Sequence, residues 1–245
     1  MSDAGTANLF ESDASRGGLA SPAGHADLAW LAGLRGRFVV FEGPDGSGKS
    51  TQLRTLGALC RREGLKVVDV RDPGGTMIGE EIRDLLLKRR DHIPGAVEVA
   101  VRCETMLFMA SRAQLVEEVI RPARERGEVV LGDRFVPSTL AYQGAAGGLT
   151  ADEITRVAEV ACGDVRPDLV LVFDVDEATA ARRLNPLLDR MEAKGAAFHR
   201  KVREGYLAQA KGRPDEFAVI DARGDEATVT TLMLETLRTR LGAKA

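Results

Sequence analysis

Cysteine is scarce in this chain, and what there is does not pair. Cys60, Cys103 and Cys162 are an odd number of thiols, widely spaced and without a C-x-x-C pair. That argues against a disulfide framework or a cysteine zinc site and for buried thiols in a reducing compartment. A basic excess is also missing: 34 Lys and Arg stand against 37 Asp and Glu, for a formal charge of −3. A general nucleic-acid binder usually shows the opposite balance, so no nucleic-acid partner is expected, while local basic clusters leave small anions such as nucleotides open. No apolar run approaches the ~18 residues of a membrane span. The first residues carry Asp3 and Glu11 and no apolar segment of a secretory signal. The expectation is a cytoplasmic protein with no membrane partner. No internal repeat is present.

What is there reads as one globular domain: 245 residues, 44% hydrophobic and 29% charged, enough for a sizeable core. Residues 1–36, rich in Gly, Ala, Ser and Asp, read as a disordered extension, in which DLAWLAGL has the pattern of one or two helical turns. Over 37–245 short β-branched runs alternate with helical patterns. The runs are RFVVF (37–41), KVVDV (66–70), EVVLG (128–132), DLVLVFDV (168–175) and FAVI (217–220). Continuous rather than alternating apolar runs predict strands covered on both faces, as in a parallel sheet. Thr150-x-x-Glu153 is a capping box opening a helix with Ile154, Val157, Ala158 and Ala161 on one face. Val229, Leu232, Met233 and Leu237 fall at helical spacing before Gly242. The fold class predicted is α/β, a five-stranded parallel sheet in a three-layer α/β/α sandwich.

The first predicted strand runs into EGPDGSGKST (42–51). Gly43, four intervening residues (Pro44, Asp45, Gly46, Ser47), then Gly48-Lys49-Ser50 match G-x-x-x-x-G-K-[ST] between a strand and a helix, with Thr51 continuing the helix. Glycines let backbone N–H groups curl around phosphate oxygens, and the helix start adds its positive dipole end. Lys49 suits the β- and γ-phosphates of ATP, and the Ser50 hydroxyl suits Mg²⁺. Two strands end in an acid that could support the metal, at Asp133 and Asp174. Asp133 is followed by Arg134, a cation suited to a phosphate acceptor. The stretch DRFVPSTLAYQG (133–144) gathers Arg134, Ser138, Thr139, Tyr142 and Gln143 where ligands sit beyond strand ends.

These pieces, with DPGGT (72–76), IRDLLL (82–87), LFMASRAQLVEEVI (107–120), PDLVLVFDV (167–175) and DRME (189–192), resemble the thymidylate kinase family over 37–241. The resemblance implies a P-loop kinase fold with a short lid at about 181–198, transfer of phosphate from ATP to dTMP, Mg²⁺, and a homodimer. Phe108 matches the aromatic that stacks on thymine and Arg112 the arginine that bonds a base carbonyl; four apart, they share a helical face. Asp45 matches the acid facing the 3′-hydroxyl, and Tyr142 the ring crowding the 2′ position. Arg83 and Arg134 match arginines near the dTMP phosphate, with Ser138, Thr139 and Gln143 completing a polar wall.

Three positions are informative, the last two as departures from the family's pattern. Gly46 occupies the loop position where some members carry an arginine, so a lid arginine is expected instead, Arg183 first and Arg190 second. Asn185-Pro186 replaces a common Arg-Gly pair in that lid, and DPGGT replaces Glu-Pro-Gly-Gly-Thr. The segment 217–224 is a candidate for the adenine side. The alternatives are a kinase of another nucleoside monophosphate or of a deoxynucleoside, and a nucleotide-binding regulator without catalysis.

Overall fold

The computed structural model describes residues 28–88, 98–183, 190–191 and 194–242. Residues 1–27 and the lid segment with Asn185-Pro186 lie outside the described residues. Five parallel strands make one sheet: β1 (Phe38–Glu42), β2 (Val67–Arg71), β3 (Val129–Asp133), β4 (Leu169–Asp174) and β5 (Phe217–Asp221). Their order is β2-β3-β1-β4-β5. Each lies within a residue of the run that predicted it. Helices α1 (Lys49–Arg62), α2 (Met77–Leu87), α3 (Val101–Leu115), α4 (Arg121–Glu125), α5 (Val136–Thr139), α6 (Ala151–Cys162), α7 (Glu177–Arg183), α8 (Ala196–Gly212) and α9 (Glu226–Leu241) connect and cover them.

The strands alternate between two cores. Val39 and Phe41 of β1 pack with Leu53 and Leu56 of α1 and Met233 and Leu237 of α9. Phe38 and Val40 face the other way, toward Leu115, Phe135 and Tyr206. Burial on both faces is why the runs are continuously apolar. The register pairs Phe41 with Asp133, Arg71 with Asp133 and Asp174 with Asp221. The polar residues that end the strands therefore gather at one edge of the sheet, where ligands bind in open α/β folds.

Helix starts follow local chemistry. The Thr150 capping box is complete, Thr76 Oγ1 accepts from Gly79 N at 2.9 Å, and Asp225 Oδ1 accepts from Thr228 N at 2.8 Å. Two wide π turns, Val116–Ile120 and Leu140–Ala145, were not legible in the periodicity.

The expected domain start at residue 37 cuts through packed structure. Ala29–Leu34 forms a 3-10 turn whose Trp30, Leu31 and Leu34 are buried in the α1/α9 core. The helical turn expected in DLAWLAGL thus docks through three apolar side chains on one short turn. Replacing a fully buried leucine leaves a cavity, so Leu34→Ala lowers stability by about 2–5 kcal/mol. Urea unfolding measures it; a stability equal to wild type would mean the turn lies outside the cooperative unit.

Candidate functional site

The phosphate loop leaves β1 and enters α1 through three residues with positive φ: Gly43 (139°), Gly46 (78°) and Gly48 (85°). Gly48 is the left-handed N-cap of α1. At Gly43 a Cβ would sit 2.5 Å from the Phe173 carbonyl oxygen, and at Gly46 2.5 Å from that of Ala180. The second contact gives the physical reason that this loop carries no arginine at Gly46: the backbone of α7 already fills that space. Ser47 Oγ is buried without a hydrogen-bond partner among the described residues. Ser50 Oγ donates to Asp133 Oδ2 at 2.8 Å, joining the start of α1 to the end of β3.

Beyond the loop lies one cavity of about 220 Å³. Its wall combines Lys49, Ser50 and Asp133 with Asp45, Arg134, Ser138 and Tyr142. Arg83, Phe108, Arg112, Thr139 and Gln143 line it too, so residues far apart in sequence meet in one space. Asp72, Pro73 and Met191 also line it.

Arg134 is the centre of the polar wall. It is the one non-glycine residue with positive φ among the described residues (72°). Its guanidinium donates to Asp45, to Ser138 Oγ at 3.1 Å and to Tyr206 Oη at 3.0 Å. Tyr142 Oη donates to Asp45 Oδ2 at 2.9 Å, and Lys49 Nζ lies 3.6 Å from Asp45 Oδ1. Burial alone would raise the Asp45 pKa, but Arg134 and Lys49 outweigh it and hold the carboxyl well below its usual range. Burial pushes the Tyr142 and Tyr206 hydroxyls well up, so both stay neutral donors.

Glu42 ends β1, one residue before the motif, where residue type and spacing alone carry no signal of a role. Its fully buried carboxyl accepts from Phe135 N at 2.9 Å, Ser138 Oγ at 2.7 Å and Tyr206 Oη at 2.9 Å. Burial raises its pKa, although the charge of Arg134 and these hydrogen bonds pull the other way. Asp72, the acid of DPGGT, pairs with the arginine of α3. Its Oδ2 accepts from Arg112 Nε at 2.5 Å, while Arg112 Nη2 donates to the Phe135 carbonyl at 3.2 Å and Thr139 Oγ1 at 3.1 Å. Arg112 is a buried cation with its direction fixed, not a surface charge.

Three expected groups lie elsewhere. Arg183 donates to the carbonyls of Ala222 at 2.9 Å and Gly224 at 3.1 Å, within the segment expected on the adenine side. Arg190 donates to Glu104 and, at 2.7 Å, to the Leu86 carbonyl. Neither lines the cavity. Asp174 is not aimed at a metal: Arg203 clasps both its oxygens at 2.6 and 2.8 Å.

A parallel sheet, a glycine loop feeding a helix and a facing pocket with its own cations define a P-loop nucleoside monophosphate kinase. The family model described as thymidylate kinase matches residues 41–232. A thymidylate kinase of Bifidobacterium longum subsp. infantis is 42% identical over 224 residues, covering 86% of this chain and 95% of that protein. One of Clavibacter sepedonicus is 44% identical over 192 residues, covering 77% and 88%. The crystal structure of thymidylate kinase from Ehrlichia chaffeensis superposes with a TM-score of 0.66 at 30% identity, covering 83% of this chain and 99% of that one. The chain belongs to the thymidylate kinase family.

The electrostatics at Asp45 yield a pH test. Its folded pKa lies below the ordinary 3.8, so the unfolded chain takes up the proton first as pH falls. The stability that ionised Asp45 contributes is therefore complete above that value and is lost as pH drops through it toward the folded pKa. Asp45→Asn is less stable than wild type at about pH 7, and the gap narrows as pH falls below about 4. Urea unfolding at both ends of that range checks this; a constant gap would mean that the charge of Asp45 is not what holds Arg134.

Proposed function

We propose that this chain transfers the γ-phosphoryl group of ATP to the 5′-phosphate of dTMP, giving dTDP and ADP. The observation that carries the reading is one cavity lined both by Lys49 and Ser50 of the phosphate loop and by Phe108 and the buried Arg112. An oxygen of the acceptor phosphate forms the new bond to the γ-phosphorus as the bond to the β–γ bridging oxygen breaks, and ADP departs with that oxygen. The transition state of such transfers is loose, so positioning and charge stabilisation matter more than a general base.

The residues divide that task. Lys49 and the N–H groups of the loop hold the ATP phosphates. Ser50 Oγ and Asp133 Oδ2, 2.8 Å apart, offer a hydroxyl and a carboxylate, hard oxygens that suit Mg²⁺. Mg²⁺ keeps several of its ligands from water and substrate phosphates, so two protein oxygens are enough to hold it. Bound there, Mg²⁺ would neutralise charge on the donor phosphates. Arg134 and Arg83 hold the acceptor phosphate, Asp45 takes the 3′-hydroxyl, and the Tyr142 ring crowds the 2′ position. Phe108 gives a face for the thymine ring, and Arg112 gives donors that O4 of thymine accepts and the amino group of cytosine does not. Arg183, held beside Ala222 and Gly224, is the proposed donor-side cation, with Arg190 the second choice.

No helix of the described residues is long and apolar enough to cross a membrane. We place the enzyme in the cytoplasm on composition and family, with ATP and dTMP as its small-molecule partners. We also propose a homodimer. Exposed apolar side chains, Met77, Ile78 and Leu85 on α2, Met106 on α3 and Val160 on α6, stand on helices packed side by side. Their repetition on a neighbouring copy would bury them in a two-fold interface.

A coupled ADP-release assay with Mg-ATP and dTMP, dUMP, dCMP, ribosyl-TMP or no acceptor tests the reaction. Turnover is fastest with dTMP, weaker with dUMP, minimal with the others, and lost on chelating the metal. Lys49→Met lowers kcat by about 10²–10³-fold, the scale of losing one charge-stabilising donor. Acceptor-independent hydrolysis of ATP would sink the reading. Light scattering tests the dimer: Met106→Glu shifts the mass to that of a monomer, and an unchanged dimer would exclude this face.

A further inference from the structure

Glu42, the last residue of β1, is fully buried, and every side-chain hydrogen bond it makes among the described residues is one it accepts. Oε1 takes the backbone N–H of Phe135 at 2.9 Å and of Ser138 at 3.1 Å, which fixes the start of α5 against the end of β1. Oε2 takes the hydroxyl protons of Ser138 at 2.7 Å and Tyr206 at 2.9 Å. A hydroxyl has one proton to give. With both protons given to Glu42, the lone pairs of Ser138 Oγ and Tyr206 Oη are left to accept from Arg134 Nη1, at 3.1 and 3.0 Å.

The two hydroxyls stand 2.8 Å apart, so they have an alternative in which one gives its proton to the other. The carboxylate decides against it, because a carboxylate only accepts. Arg134 is thereby held at both ends, Nη1 by these hydroxyls and Nη2 by Asp45 and by Tyr142 Oη at 3.3 Å. Its Nε has no hydrogen-bond partner among the described residues, and the side chain lines the cavity. A cation fixed at both Nη atoms offers its remaining N–H to an anion without reorganising when the anion arrives.

We propose that Glu42 is a positioning residue for the acceptor phosphate: by ordering the protons of Ser138 and Tyr206 it makes both hydroxyls acceptors for Arg134 and sets the direction in which Arg134 meets the 5′-phosphate. This rests on the dTMP reading and deepens it. Glu42 lies behind the cavity lining and touches no substrate, so its effect is confined to how the phosphate of the acceptor is held.

Calorimetric binding of dTMP and of thymidine, which differ only in the 5′-phosphate, isolates that effect. Wild type binds dTMP about 100-fold more tightly, the scale of two charge-assisted hydrogen bonds. In Glu42→Gln the amide must turn its NH₂ either toward the two backbone N–H groups or toward the two hydroxyls, whose protons then point at Arg134. In either case a donor faces a donor, and the ratio falls about tenfold while the affinities for thymidine and ATP are unchanged. A folded Glu42→Gln protein that keeps the wild-type ratio overturns the proposal. So does an equal loss for dTMP, thymidine and ATP, which is the mark of a loosened fold. Tyr206→Phe keeps Glu42 and removes one hydroxyl of the pair, and its ratio falls about threefold. An unchanged ratio there overturns the proposal even if Glu42→Gln fails to fold. In Arg134→Met the ratio is already low and adding Glu42→Gln leaves it there; a further fall would mean that Glu42 does not act through Arg134. Because the ratios are read without turnover, a wild type with the expected ratio but no phosphorylation defeats the reaction and leaves the role of Glu42 standing.

Discussion

Arg134 is the constraint on which the rest of the site depends. It follows directly on β3, in a left-handed conformation that costs a non-glycine residue of order 1 kcal/mol or more. The surrounding hydrogen bonds offset that cost: its N–H reaches the Phe41 carbonyl, and its guanidinium is held by Asp45, Ser138, Tyr142 and Tyr206. Those partners come from the phosphate loop, the segment after β3 and α8. One side chain thus joins three parts of the chain, and Glu42 beneath it joins two of them again. Removing any member leaves a buried donor or charge without its partner, which is costlier than the bond itself is worth.

This arrangement separates rigid from adjustable parts. The acceptor side is preorganised: the Arg112–Asp72 pair is buried, and Arg112 has four partners in all. A buried pair of this kind adds little to stability after desolvation, but it fixes a direction. The charges nearest the lid are different. Arg183 rests on the carbonyls of Ala222 and Gly224, and Arg190 on Glu104 and the Leu86 carbonyl.

Much of this was legible in the sequence because it depends on local chemistry. Continuous apolar runs revealed strands buried on both faces, and the spacing of Gly43, Gly48 and Lys49 revealed the loop. Thr150 and Glu153 revealed a cap that forms as a unit. What stayed hidden depends on tertiary position. Asp72 and Arg112 are 40 residues apart, and nothing in the spacing announces their pairing. Trp30, Leu31 and Leu34 lie in a stretch whose composition reads as disordered, yet they are buried. Asp174 ends a strand just as Asp133 does, and only the approach of Arg203 from α8 distinguishes them.

The absent loop arginine has the same kind of explanation. A side chain at Gly46 would collide with the Ala180 carbonyl, so the packing of α7 on the loop and an arginine at that position exclude each other. Glycine at 46 lets α7 approach, and the approach carries Arg183, three residues on, to the carbonyls beyond β5. The glycine at 46 and the position of Arg183 are then not two separate features of the chain. Both features follow from how closely one short helix can pack against the turn that holds the phosphates.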